Sequence, residues 1–252
     1  MLKALVARMR QGYRTYPFPG KSPSLPERFK GRPVISNSKC DGCEKCAAIC
    51  PTDAISIDNK QLFLDMGKCI FCGKCEQACE NKVIAFSQEY SLAVRERGDL
   101  ILNGKDFRTA ESLNADIRRI LGRSLKLRQV SAGGCNACEA DTNVLSTLVF
   151  DLGRFGVQFV ASPRHADGLL ITGPVTKNMQ LALRKTYDAV PSPKIVIALG
   201  ACAISGGIFS NHEEQTNGAE NSLPVDLYIP GCPPHPYTIL DGILRLLKLR
   251  NK

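Results

Sequence analysis

Tryptophan is absent from this chain of 252 residues, and aromatic residues of all kinds make up only 6% of it. No aromatic residues are interleaved with the basic ones, and no recognised nucleic-acid-binding motif is present, which argues against a nucleic-acid partner. No apolar run reaches the roughly 18 to 20 residues that a membrane-spanning helix needs. The glycine pairs at 133–134 and 206–207 fit neither G-x-G-x-x-G nor the phosphate-binding G-x4-G-K-S/T, so nucleotide binding finds no support. The N-terminal sequence MLKALVARMRQGYR lacks a hydrophobic signal region, a small-residue cleavage site and a twin-arginine pair, which predicts a cytoplasmic chain.

What is present is an ordinary soluble balance, 44% hydrophobic and 23% charged, long enough for one large or two modest domains. The net charge of +9 is uneven. Residues 1–35 hold Lys3, Arg8, Arg10, Arg14, Lys21, Arg28, Lys30 and Arg32 against the single acid Glu27, and the remainder is near neutral. Residues 1–12 read as a short amphipathic helix. The proline-rich PFPGKSPSLPERFKGRP that follows can lie extended on a surface but cannot form a core of its own. Residues 1–33 are therefore read as a basic, extended docking arm. An acidic protein partner is favoured over anionic lipid headgroups as its target.

The twelve cysteines fall into three sets of four with none left over. The first run is Cys40, Cys43, Cys46 and Cys50, and the second, 29 positions on, is Cys69, Cys72, Cys75 and Cys79. Both read C-x2-C-x2-C-x3-C, each followed by a short apolar stretch (AISI at 54–57, VIAF at 83–86). In a reducing compartment such spacing indicates metal or redox chemistry rather than disulfides. Four thiolates are the full ligand set of one cubane iron–sulfur cluster, so three sets imply three 4Fe-4S clusters. Zinc is the alternative metal, but structural zinc sites seldom take a third cysteine at x2 and a fourth at x3.

From about residue 125 the pattern changes. Short apolar strands are expected at 126–131, 157–161, 168–172, 194–199 and 225–229. Helices are expected at 139–152, 176–189 and 236–250, with one more over 106–122 carrying Leu113, Ile117, Ile120 and Leu121 on one face. Such alternation predicts a parallel sheet covered on both faces, with ligands beyond the carboxyl ends of its strands. The third cysteine set meets that rule. Cys135 and Cys138 follow the first strand, Cys202 the fourth and Cys232 the fifth, so all four emerge at one sheet edge. Gly133, Gly134, Gly200 and Gly231 precede them, and are read as letting the backbone approach a cluster. The expected division is an arm at 1–33, a two-cluster unit at 34–86, a linker with a helix at 87–124 and an α/β unit at 125–252.

The C-x2-C-x2-C-x3-C-P run is similar to that of bacterial ferredoxins, whose fourth cysteine ligates the other cluster. The resemblance implies one cluster on Cys40, Cys43, Cys46 and Cys79 and another on Cys69, Cys72, Cys75 and Cys50. Glu80 stands where proline is usual, and would adjust a potential rather than remove a cluster. Residues 13–104 resemble the two-cluster ferredoxin subunit of respiratory complex I and of formate hydrogenlyase-type hydrogenases. They do so through YRTYPFPGKSPSLPERFKGRP, both cysteine runs and EYSLAVRERGDLI. Residues 125–250 resemble the 20-kDa subunit of complex I and the small subunit of membrane-associated, group 4 nickel–iron hydrogenases, through GGCNACE, LGACAISGG and PGCPPHP.

The resemblance implies a ferredoxin-type α+β unit, followed by a flavodoxin-like α/β unit that carries the proximal cluster. The first two cysteines of the motif are adjacent in complex I and spaced C-x-x-C in hydrogenases; Cys135 and Cys138 have the hydrogenase spacing. The chain would then be a non-catalytic, electron-carrying subunit of an oxidoreductase. Its expected partners are a large subunit holding nickel, other peripheral and membrane subunits, and a soluble redox partner such as ferredoxin or a formate dehydrogenase subunit. It would lie on the inner face of the cell membrane, held there through those partner subunits. A complex I-like quinone oxidoreductase subunit and a free-standing polyferredoxin are the alternatives.

Glu139, directly after Cys138, reads equally as a relay or tuning group and as a first-turn acid favoured by the helix dipole. His235 reads as a residue at a helix start ahead of a donor to the cluster. His165 and His212 receive no role. The C-terminal LDGILRLLKLRNK is expected to pack as a final core helix ahead of touching a membrane surface.

Overall fold

The computed structural model describes residues 2–110 and 124–249. Residues 111–122 of the helix expected over 106–122 lie outside them. The first helix, α1 (Leu2–Gln11), covers the amphipathic N-terminal segment, and none of its residues is buried.

Residues 33–102 then form β1 (Pro33–Ile35), α2 (Lys45–Ala48), β2 (Ile55–Asp58), β3 (Gln61–Asp65), α3 (Lys74–Ala78), β4 (Ile84–Phe86) and β5 (Ile101–Leu102). β1 pairs antiparallel with β4, and β2, β3 and β5 make a second antiparallel sheet. The internal duplication reaches the backbone. Gly42 and Phe71, Glu44 and Gly73, and Asp53 and Lys82 are each separated by the repeat length, and all six residues have positive φ. Four of the six are not glycine, and a strained conformation kept twice over points to a shared local task.

The second unit comprises β6 (Leu125–Ser131), α4 (Ala137–Val144), β7 (Val157–Phe159), β8 (Gly168–Thr172), α5 (Lys177–Ala189), β9 (Ile195–Leu199), α6 (Gly200–Ser205), β10 (Leu227–Ile229) and α7 (Pro236–Leu246). All five strands are parallel, in the order β7-β6-β8-β9-β10. That is the flavodoxin-like order, with its topological switch between β6 and β8. Every residue of β8 and β9 is buried, as expected of central parallel strands covered on both faces. α4 ends at Val144, well short of the expected 152. Thr142, Asn143, Ser146 and Thr147 favour local side-chain bonding over helix, and Leu148 and Val149 find no core to pack on. α7 buries ten of its residues, so the C-terminal segment is a core helix.

The two units share apolar cover. Leu62, Leu64 and Val83 pack in one core with Ile171, Val196 and Ile204. Between them, Val94 and Tyr228 exchange backbone hydrogen bonds of 3.0 and 2.9 Å, which closes the exposed edge of β10. Asp65 receives two hydrogen bonds from Arg97, at 2.8 and 2.6 Å, tying β3 to the same connecting segment.

The proline-rich segment lies on this chain rather than reaching away from it. Tyr16 N–H donates to the Val149 carbonyl, Arg154 donates to the carbonyls of Tyr16 and Phe18, and the buried Phe18 packs on Tyr90 and Tyr237. Gly31 and Arg32 donate to Ser87 and Glu89 carbonyls at 2.8 and 2.9 Å. A Cβ at Gly31 would collide with the Glu89 carbonyl oxygen, so only glycine permits this approach.

Candidate metal centres

Each cysteine run is built around a residue in the left-handed conformation immediately after a cysteine. Glu44 (φ 59°) follows Cys43, Gly73 (φ 77°) follows Cys72, and Asn136 (φ 71°) follows Cys135. Each is the N-cap of the short helix that holds the next cysteine, Cys46, Cys75 or Cys138. Left-handed residues next to right-handed ones turn successive N–H groups into one concavity, an arrangement that suits anions and sulfur clusters.

Around these turns the thiols gather in fours. Cys40, Cys43, Cys46 and Cys79 line one cavity, and Cys50, Cys69, Cys72 and Cys75 line another. The fourth cysteine of each run thus stands with the other run. Backbone N–H groups of Ala54, Phe71 and Val83 donate to the sulfurs of Cys50, Cys69 and Cys79, each at 3.3 Å. Ala54 and Val83 are again one repeat apart. Among the described residues no three His, Cys, Asp or Glu side chains form a group that would hold a single metal ion. The thiols stand instead around the walls of cavities, a donor set that fits a polynuclear sulfur cluster. Glu80 lines the first cavity, and its carboxylate is paired on the surface with Lys45 at 2.6 Å.

The third set comes together at the carboxyl edge of the parallel sheet. Cys135 and Cys138 flank the start of α4, Cys202 lies in α6 after β9, and Cys232 follows β10. Ala201 N–H donates to the Gly231 carbonyl at 2.8 Å and joins the last two loops. The four thiols are close enough to act on one another's protonation. Burial raises Cys138 most, with Cys202, Glu139, Cys232 and Cys135 adding to it. Cys202 is pushed up to about 11 by burial, then by Cys232 and Cys135. In the second site burial pushes Cys69 to about 12 and Cys75 to about 11. One cysteine at the first site, one at the second and two at the third (Cys43, Cys72, Cys135 and Cys232) remain exposed.

The glycines expected to line this site divide. A Cβ at Gly200 (φ 86°) would stand 2.7 Å from the Cys138 sulfur. At Gly133 and Gly231 the space for a Cβ is filled by Thr176 and Pro234, and Gly134 packs on Gly173 and Glu139. Gly207 was missed by sequence reasoning and faces the Cys202 sulfur, where a Cβ would stand at 2.9 Å.

Glu139 is 7% exposed and accepts hydrogen bonds from Ser131 and Thr172, which end β6 and β8 at the topological switch. Neither hydroxyl has a local sequence signal; only the switch-point rule could have pointed to strand ends there. His235 is the N-cap of α7. Its Nδ1 accepts from Tyr237 N–H at 3.2 Å, its ring stacks on Tyr237, and Phe29 meets it edge-on. His165 and His212 are exposed.

The second and third sites adjoin. Ser205, in the helix of Cys202, donates to the carbonyl of Gly67 at 2.9 Å, two residues before Cys69. Ile70, Phe71 and Cys232 line a common cleft.

The family model for the NADH ubiquinone oxidoreductase 20 kDa subunit matches residues 135–246, and that for a 4Fe-4S dicluster domain matches residues 32–80. A probable membrane-bound hydrogenase subunit of Pyrococcus furiosus is 39% identical over 146 residues, 58% of this chain and 87% of the relative. Formate hydrogenlyase subunit 7 of Escherichia coli is 43% identical over 138 residues, 55% of this chain and 54% of its own length. An NADH-quinone oxidoreductase subunit of Desulfovibrio desulfuricans is 42% identical over 119 residues, 47% of this chain and 64% of the relative. This chain thus spans less than two thirds of the latter two. No helix of the described residues is long and apolar enough to cross a membrane.

Proposed function

The chain belongs to the family of the 20 kDa subunit of NADH ubiquinone oxidoreductase, here with a 4Fe-4S dicluster domain ahead of it, and from that premise we propose that it is an electron-transfer subunit of a membrane-bound, hydrogenase-like complex. It carries electrons through three 4Fe-4S clusters between a large subunit holding a nickel–iron centre and a soluble redox partner. The chain divides for this purpose into a two-cluster unit at 34–86 and an α/β unit at 125–252. It sits peripherally on the cytoplasmic face through its partner subunits.

The observation that carries the reading is the third set of cysteines, drawn from three separate strand ends to one sheet edge and begun by a C-x-x-C pair. A carrier with two clusters has no use for it. A four-iron cluster supplies one-electron transfer, at a potential set by burial, charge and hydrogen bonds to sulfur.

The protein's own residues supply the rest. Cys40, Cys43, Cys46 and Cys79 hold the outermost centre, Cys50, Cys69, Cys72 and Cys75 the middle one, and Cys135, Cys138, Cys202 and Cys232 the last. The N–H groups of Ala54, Phe71 and Val83 stabilise thiolate charge. Ile70 and Phe71 cover the gap between the middle and last sites, and the Ser205–Gly67 hydrogen bond holds their spacing. Ile208 and Phe209 are exposed beside Gly207 and offer an apolar contact next to Cys202 for the large subunit.

Anaerobically purified protein is expected to contain about twelve iron atoms per chain, falling to about eight in Cys202→Ala. A wild-type value near eight, unchanged by that substitution, would remove the third centre. The likeness to the NADH-quinone oxidoreductase relative favours one second reading, in which the last site serves a quinone. Paired C-x-x-C motifs near both ends of the partner large subunit support nickel; their absence supports quinone.

A further inference from the structure

We propose that α1 is an interfacial helix that places this chain directly on an anionic lipid surface. The proposal goes beyond the electron-transfer reading, which needs no lipid contact by this chain.

At helical spacing Leu2, Leu5, Val6 and Met9 fall within an arc of roughly 100°. Leu2, Leu5 and Met9 are 80%, 61% and 69% exposed and Val6 is half-buried, so most of the stripe is uncovered among the described residues. Lys3 and Arg10 run along one border of the stripe, and Arg8 runs along the other. Residues 2–26 contain no acid. Basic side chains flanking a narrow apolar stripe can extend to headgroups while the stripe enters the acyl boundary. Helix stability does not account for this charge. Arg8 and Arg10 suit the last turn, but Lys3 stands in a first turn without acids, where the helix dipole opposes it. A ten-residue helix that buries nothing is also marginal in water, and gains its stability from whatever covers its face.

Further exposed apolar residues lie where the arm meets the body. The arm is tied to the body where Tyr16 N–H meets the Val149 carbonyl. Val149 and the neighbouring Leu148 are exposed, as is Tyr13 under the Arg8 guanidinium. The extended arm had favoured an acidic protein as the target, but residues 16–32 are engaged with this chain itself. The segment left uncovered has the form of a lipid-surface helix.

The test is flotation of the full, anaerobically purified chain with phosphatidylcholine vesicles, with and without phosphatidylglycerol, at low and high salt. Binding is expected only with the anionic lipid, and weaker at high salt. It should weaken at least about tenfold in Leu5→Ser/Met9→Ser and more in Lys3→Glu/Arg8→Glu/Arg10→Glu. Because no residue of α1 is buried, all variants should keep the wild-type iron content and unfolding curve, so loss of binding is separable from loss of the clusters. Equal binding to neutral vesicles, unchanged binding by the variants, or no vesicle binding with retention on an acidic protein partner would each overturn the proposal.

Discussion

The Thr172 hydroxyl donates a 2.6 Å hydrogen bond to Oε1 of Glu139, joining the end of β8 to the first turn of the helix that carries Cys138. Ser131 is the register partner of Thr172 on β6, and it donates to the same oxygen at 2.5 Å. A nearly buried carboxylate thus pins the switch point of the sheet to the loop of the third cysteine set.

Thr172→Val keeps the shape and removes one donor, and should cost about 1 kcal/mol. Glu139→Ala leaves two hydroxyls without their acceptor and should cost about 2–3 kcal/mol, while Glu139→Gln recovers most of it. Denaturant unfolding of the three variants checks the order. Equal stability of Glu139→Ala and wild type would mean that the network does not hold the loop.

The crossed cavities give a second prediction. Cys79→Ser should disturb the centre that shares Cys40, Cys43 and Cys46, and Cys50→Ser the one that shares Cys69, Cys72 and Cys75. Each should lower the iron content from about twelve to about eight per chain. Their electron paramagnetic resonance spectra should lose different signals. Loss of the same signal in both would rule out the crossing.

Burial also has a consequence for cluster loading. Cys69, at about 12, and Cys75 and Cys202, at about 11, are thiols at neutral pH when no metal is bound. Cluster insertion requires thiolates, so loading should release the protons of Cys69, Cys75 and Cys202 and proceed faster at pH 9 than at pH 7. Proton uptake by a weakly buffered dye measures this. In the cluster-free chain these raised values stabilise the fold below the unfolded value of 9.0, and that contribution is lost as pH rises through the folded values.

His235 titrates in the opposite sense. Burial holds it below its ordinary 6.5, and its neutral Nδ1 caps α7. Its contribution is complete above pH 6.5 and is lost as pH falls through the lower folded value, when protonation removes the acceptor. Removing the cap costs about 1 kcal/mol. His235→Asn keeps an acceptor but loses the ring contacts with Tyr237 and Phe29, so it should flatten the pH dependence of stability between pH 7 and 5 while lowering stability at pH 7 by about 1 kcal/mol.

Much of this molecule was legible in its sequence. All five strands of the parallel sheet appear within a few residues of their expected positions, because each is a short apolar run bounded by turn residues. The repeat of the cysteine runs extends to the left-handed residues at Asp53 and Lys82, because equal spacing imposes equal turns. Less legible were Ser131 and Thr172, whose meeting with Glu139 depends on β6 lying beside β8. Gly207 lacked a signal for the same reason: its neighbour, the Cys202 sulfur, reaches it only through the turn that ends α6. The early end of α4 was hidden too, since Leu148 and Val149 look like core residues until the sheet leaves no room for them.

Taken alone, the sequence determined the spacing of the cysteines and the positions of the strands along the chain, since both follow from residue types at short, regular spacings. Only the tertiary structure decided which distant groups meet. It laid the basic arm along its own chain, because Phe18 gains more by burial against Tyr90 and Tyr237 than by extension into water. Among the described residues it buried no side chain of α1.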